Sequence, residues 1–198
     1  MKSWNRSEIK ASFANCTTLK EVISQIEAET SAEGEVICEV QVNGVVLSEA
    51  DEMTFAASPL DTIEDLRVQS RNPLELVREA LKSAADLVPQ LEKSALTTAE
   101  LLRAGDQPRS ARGFEETICG CQWLVETLMH VRSASNGLGR EIAQPKAWMA
   151  SESLIGRVVN EVSDAYHRSD KVLVADLLEY EMTAALASWK ATIAAELD

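Results

Sequence analysis

No uninterrupted apolar run in this chain approaches the ~20 residues that a membrane-crossing helix requires, so no transmembrane span is expected. Aromatic residues make up only 5% of the sequence, and histidine occurs twice, as His130 and His167. Neither histidine stands in an HExxH or His-x-x-x-His pattern, which removes the common helical zinc motifs. Both fall near expected helix ends, where a cation complements the dipole. Positive charge is also short: 19 Lys and Arg face 32 Asp and Glu, for a net charge of −13. A surface that acidic repels phosphate backbones and anionic headgroups, so nucleic acid and membrane surfaces are excluded as partners. Its plainest consequence is solubility. The opening residues Met1-Lys2-Ser3-Trp4-Asn5-Arg6 have no apolar stretch behind them, so no secretory signal is expected.

Catalytic and cofactor signatures are missing too. Gly137-Leu138-Gly139 follows a helix rather than a strand, and no further glycine completes a phosphate-binding fingerprint. There is no Gly-x-Ser-x-Gly elbow. Four cysteines are present, Cys16, Cys38, Cys119 and Cys121. The Cys119-Gly120-Cys121 pair falls on a helix, where positions two apart point to different faces and cannot clamp one tetrahedral metal. Cys38, Cys119 and Cys121 are expected as buried, reduced core thiols of a cytoplasmic protein. The carboxylates Glu115, Glu116, Glu126, Asp176, Glu179 and Glu181 read as solvated helix faces, because a di-metal bundle needs several Glu-x-x-His pairs and only Asp164 and His167 have that spacing. No catalytic, cofactor-binding or metal-binding residue is therefore assigned, and no cofactor is implied.

What the chain does have is a long helix signal from Asn72 to Ala104. Asn72 suits the N-cap, Pro73 the first helical position and Glu75 a reciprocal capping bond. Gly105 supplies the left-handed residue at the far end. Leu74, Leu81, Val88, Ala95 and Leu102 recur every seven residues, interleaved with Val77, Ala84, Leu91 and Thr98. Such a seam faces other helices. Pro89 interrupts it, predicting a kink or a break into two collinear pieces.

Before this helix, residues 1–71 predict a small helix-plus-antiparallel-sheet module. Residues 1–15 read as a loosely held arm or a short helical turn. Thr18-Leu19-Lys20-Glu21 is a capping box opening a helix over about 18–29. A hairpin follows over about 36–47, with Val36, Cys38, Val40 and Val42 on one face and Asn43-Gly44 as the turn. A short helical turn is expected near 51–57, and a last strand over about 66–69.

After it, residues 72–198 predict an up-down four-helix bundle. The second helix spans about 109–133 with Phe114, Ile118, Cys121, Val125 and Leu128 as its stripe. Gly120 beside that stripe leaves room for a close neighbour. The third carries Trp148, Ile155, Val158 and Val162; the fourth, capped by Asp170, carries Leu173, Leu177, Leu178, Met182, Ala185, Trp189 and Ile193. The fold class is thus α+β: a sheet module followed by a bundle, with the sheet expected to rest on the helices.

The stretch Asn72-Pro73-Leu74-Glu75-Leu76, together with Asp170, Leu177-Leu178 and Ala187-Ser188-Trp189-Lys190, resembles the bundle of flagellin-specific export chaperones over about residues 72–195. Two departures stand out. Those chaperones lack an amino-terminal sheet module, and their Arg-Leu-x-x-Ala-Asn stretch is here only Arg157-Val158-Val159-Asn160. The resemblance implies a chaperone or adaptor that holds a partner's helix against its apolar surface. Trp123, off the main stripe of its helix, and Trp189 are the candidate anchors for such a partner. An alternative is a small-molecule binder or enzyme using the crevice between module and bundle. The seam and the hairpin edge also offer surfaces for a homodimer.

Overall fold

The computed structural model describes residues 1–197, with Glu49, Glu52 and Met53 described by backbone alone. The fold is α+β, an antiparallel sheet module followed by a helical bundle, and it divides into two compact units, Met1–Leu76 and Val77 onward.

In the first unit, strand β1 (Lys2–Asn5) runs straight into helix α1 (Arg6–Ser12), so the amino end is not a loose arm. Its short alternation hides a second signal. Asn5 and Glu8 form a reciprocal capping box, which starts the helix and buries Ile9; Trp4 meets Phe13 edge-on at 5.6 Å. Helix α2 (Leu19–Ala32) begins at the Thr18–Glu21 capping box and buries Leu19, Val22 and Ile26. It outlasts the expected end near residue 29, and Thr30, fully buried, donates its hydroxyl to the Ile26 carbonyl.

Strands β2 (Val36–Val42), β3 (Val45–Val46) and β4 (Asp65–Arg71) complete the sheet in the order β1-β4-β2-β3, every neighbour antiparallel. Helix α3 (Glu49–Phe55) lies between β3 and β4 in sequence. Asn43 and Gly44 both adopt positive φ, 51° and 82°, as a two-residue hairpin with primed geometry requires. Asn43 does more than turn. Its side-chain oxygen accepts from the Glu64 and Asp65 amides at 2.7 and 3.2 Å, tying the hairpin tip to the start of β4. The expected single face of β2 is broken by a bulge: Ile37 pairs with Ser70 and Glu39 with Gln69, leaving Cys38 unpaired between them. Val40 and Val42 face the core, but beyond the bulge the inward residue is Ile37, while Val36 and Cys38 are exposed.

The second unit is built from α4 (Pro73–Ala104), α5 (Gln107–Gly137), α6 (Pro145–His167), and a last helix of three parts: α7 (Lys171–Asp176), a π-helical segment Leu177–Met182, and α8 (Thr183–Leu197). Asn72 caps α4 through the Leu74 amide at 2.9 Å. Val77, Leu81, Ala84, Val88, Leu91, Ala95, Thr98 and Leu102 form the buried seam. Leu74, expected to open it, is instead 46% exposed. Pro89 does not break α4 and does not lie in the seam; it faces solvent, where a missing backbone donor costs least. At Gly105, φ is 77° and the Asp106 amide reaches back to the Leu101 carbonyl at 3.1 Å, closing the helix.

At the bundle centre Cys121 Sγ lies 3.6 Å from Met182 Sδ. Towards one end Trp148 and Trp189 cross edge-to-face at 5.0 Å. Neither indole N–H has a hydrogen-bond partner, so both rings contribute apolar area and shape alone. Gly120 makes room for the Leu91 side chain of α4: a Cβ there would lie 2.4 Å from Leu91 Cδ2.

Two stability outcomes follow. Trp189→Ala is expected to cost about 3–5 kcal/mol, read as a lower urea midpoint of the helical signal, whereas Trp123→Ala stays within about 0.5 kcal/mol. Gly120→Ala, which helix propensity alone would favour by about 1 kcal/mol, is expected to destabilise by a similar amount through overpacking against Leu91. A gain in midpoint would refute that close approach.

A pH outcome belongs to the first unit. The Thr17 backbone amide, then the Thr17 hydroxyl, hold the Glu21 carboxyl below its ordinary value of 4.5. A depressed folded value means this cap stabilises fully above that pH and weakens as pH falls through the folded value. The Thr17 amide signal in NMR, followed through an acid titration, should show that limb, and Glu21→Gln should flatten it.

Candidate functional site

The residues singled out from sequence disperse. Trp189 is fully buried in the bundle core; it cannot anchor a partner, because its place in the helical period is an inward one. Trp123 is the opposite case, with 45% of its surface exposed. His130 and His167 are both exposed, and His167 Nδ1 sits 2.7 Å from the Ser163 carbonyl oxygen. Cys119 and Cys121 part as their spacing demands: Cys121 is buried, whereas Cys119 is exposed, and so is Cys38. The expectation of three buried thiols therefore fails at two positions, one displaced by the β2 bulge and one by helical geometry.

Four of the six carboxylates singled out from sequence are held by cations. Asp176 and Glu179 share Arg103, at 2.9 Å for Asp176, and Glu116 takes Arg112 at 2.8 Å. Glu181 and Glu161 flank Arg157. Among the described residues no three His, Cys, Asp or Glu side chains gather closely enough to hold a metal ion.

A concave surface does exist, and sequence reasoning missed it. Gln90, Ser94, Thr97 and Leu101, spaced three and four apart along α4, face Arg109, Gly113 and Glu116 of α5 across a groove of about 620 Å³. Two glycines seven residues apart admit side chains of α4 into the face of α5. A Cβ on Gly113 would lie 2.3 Å from Thr98 Oγ1, as one on Gly120 would meet Leu91. Hydroxyls then stitch the two helices: Ser94 Oγ and Thr117 Oγ1 are 2.8 Å apart, and Thr117 donates to the Gly113 carbonyl at 2.7 Å. The small side chains leave a channel between the outer rims. Arg109, Glu116 and Trp123 recur every seven residues, so they share one stripe of α5, and the groove's edge leads to the exposed tryptophan. The interval of seven between Gly113 and Gly120 was the sequence signal for this feature.

A smaller cavity of about 220 Å³ opens at the end of the bundle between Leu102, Gln107, Ser110, Tyr166, Lys171 and Val174. Ser110 donates to the Gln107 carbonyl at 3.2 Å, while Asp106 and Asp170 cap the two helix starts beside it. Tyr166 stacks on Phe114 at 3.8 Å.

An α+β chain whose bundle carries a groove between two helices is thus the class defined by fold and surface. Residues 79–192 match the family described as Domain of unknown function (DUF8042), and the chain belongs to that family. Residues 5–72 are similar to the TP0873 N-terminal domain. No curated protein and no solved structure matches the chain.

Thiol chemistry should separate the cysteines. Burial pushes the Cys121 thiol up to about 12, leaving almost no thiolate at neutral pH. Labelling with an alkylating reagent at mildly alkaline pH should modify Cys38 and Cys119 while Cys121 resists until denaturant is added. Ready modification of Cys121 in the folded chain would contradict its placement in the core.

Proposed function

We propose that this protein is a non-catalytic interaction protein, an adaptor or export-type chaperone, whose α4–α5 groove receives a helix of a partner protein. The observation that carries the reading is the α4–α5 groove, with Trp123, a large ring left 45% exposed, two turns beyond Glu116 on the same α5 stripe. Exposed tryptophan beside a channel is the usual composition of a binding hot spot, and a groove between two antiparallel helices is the shape that accepts a third. The resemblance of Asn72-Pro73-Leu74-Glu75-Leu76 and of the last helix to export chaperones points the same way. The cytoplasm is the compartment we assign, since exposed free thiols at Cys38 and Cys119 suit reducing surroundings.

Co-purification from the source cell tests this. A stoichiometric protein partner is expected with the full chain, lost in Trp123→Ala and kept in Met149→Ala, whose side chain is also exposed but lies on α6. Recovery of the chain alone, or equal recovery with both variants, would sink the proposal.

A further inference from the structure

Charge in the α4–α5 groove runs against that of the whole chain. Acidic residues outnumber basic ones 32 to 19 over the sequence, yet the groove lining holds Lys93, Arg109 and Arg112 against Glu116 alone. That one carboxylate already accepts from Arg112 Nε at 2.8 Å. Arg109 reaches Asp106 only at 3.8 Å, with 76% of its side chain exposed. Lys93 is exposed and makes no ion pair among the described residues. The other polar lining groups, Gln90, Ser94 and Thr97, carry no charge. Three cations therefore line the groove with one carboxylate among them, and an incoming anion meets little competition.

The dimensions narrow the occupant. From Gln90 to Leu101 the α4 wall runs roughly 16 Å at 1.5 Å per residue, three turns of a bound helix. The channel is long and open rather than a closed cage, so it does not fit a small free anion. The tryptophan on the same α5 stripe asks for apolar area as well as charge. A long polyanion is disfavoured too, because beyond the groove its charges would meet a surface of net charge −13.

Resting on the groove being the partner site, we infer that its occupant is an acidic amphipathic helix of a partner protein. Its carboxylates lie toward Lys93, Arg109 and Arg112, and its apolar side reaches Trp123. The electrostatic part sets orientation and association rate, and salt weakens it; the tryptophan contact is insensitive to salt.

Fluorescence anisotropy with two labelled helical peptides tests this on the full chain. Both have the same length and apolar face; one carries Glu and the other Lys along its flank. The Glu peptide is expected to bind about tenfold or more tightly than the Lys peptide at low ionic strength, with the margin shrinking in high salt. Arg109→Glu with Arg112→Glu should reverse the order, and circular dichroism should confirm an unchanged helical fold, since both side chains are exposed. Trp123→Ala should weaken both peptides alike. If both bind equally and both depend on Trp123, the groove stands and the acidic occupant is overturned. If neither binds, or binding ignores all three substitutions, groove and occupant fall together. Full displacement of the Glu peptide by an oligonucleotide of equal charge would overturn a protein occupant.

Discussion

The interlocking of α4 and α5 side chains is the constraint on which the bundle depends. Gly113 and Gly120 permit it, each standing where a single methyl carbon would collide with the side chain of Thr98 or Leu91. The seam of α4 and the stripe of α5 fit together there, and α6 and the last helix cover the remaining apolar faces with Ile155, Val158, Leu178 and Trp189. The groove opens on the outside of the same pair. Core packing and the candidate binding surface thus share one helix pair.

Much of this was legible because it rests on local rules. Capping residues at Thr18 and Asp170 and the left-handed glycine at Gly105 state helix ends through bonds to their own neighbours. The seven-residue recurrence in α4 and the Asn43-Gly44 turn need no tertiary context either. What escaped was whatever depended on a second element. Strand β1 forms only because β4 offers it an edge, so four residues of weak alternation gave no sign of it. The bulge at Cys38 arises from mismatch with β4 and shifts the inward residue from Val36 to Ile37. Leu74 satisfied the heptad by spacing, yet it stands exposed ahead of the stretch that α5 and the last helix cover.

The candidate site was less legible than the fold for a physical reason. Heptad arithmetic separates inward from outward positions, and it placed Trp123 off the main stripe correctly. It does not say which outward residues of two helices come face to face. Lys93 and Arg112 are separated in sequence by the last turns of α4, a loop and the first turn of α5, and their joint presence in one channel follows from the pairing of α4 with α5. Trp189 misled for the complementary reason: a tryptophan near the end of a helix has the composition of an anchor, but Trp148 on another helix claims its face.

The π-helical segment Leu177–Met182 bears on how this chain tolerates change in length. A π turn holds one residue more than the α turn that would span the same rise. The surplus is absorbed beside Arg103, whose guanidinium grips Asp176 and Glu179 at the start of that turn. Helix α8 keeps its inward face through Ala185, Trp189 and Ile193, so the irregularity does not propagate downstream. The last helix therefore carries a built-in slack of one residue. A deletion there can close as ordinary α-helix with both flanks in register, whereas the same deletion in α4 or α6 would rotate every later side chain off the core.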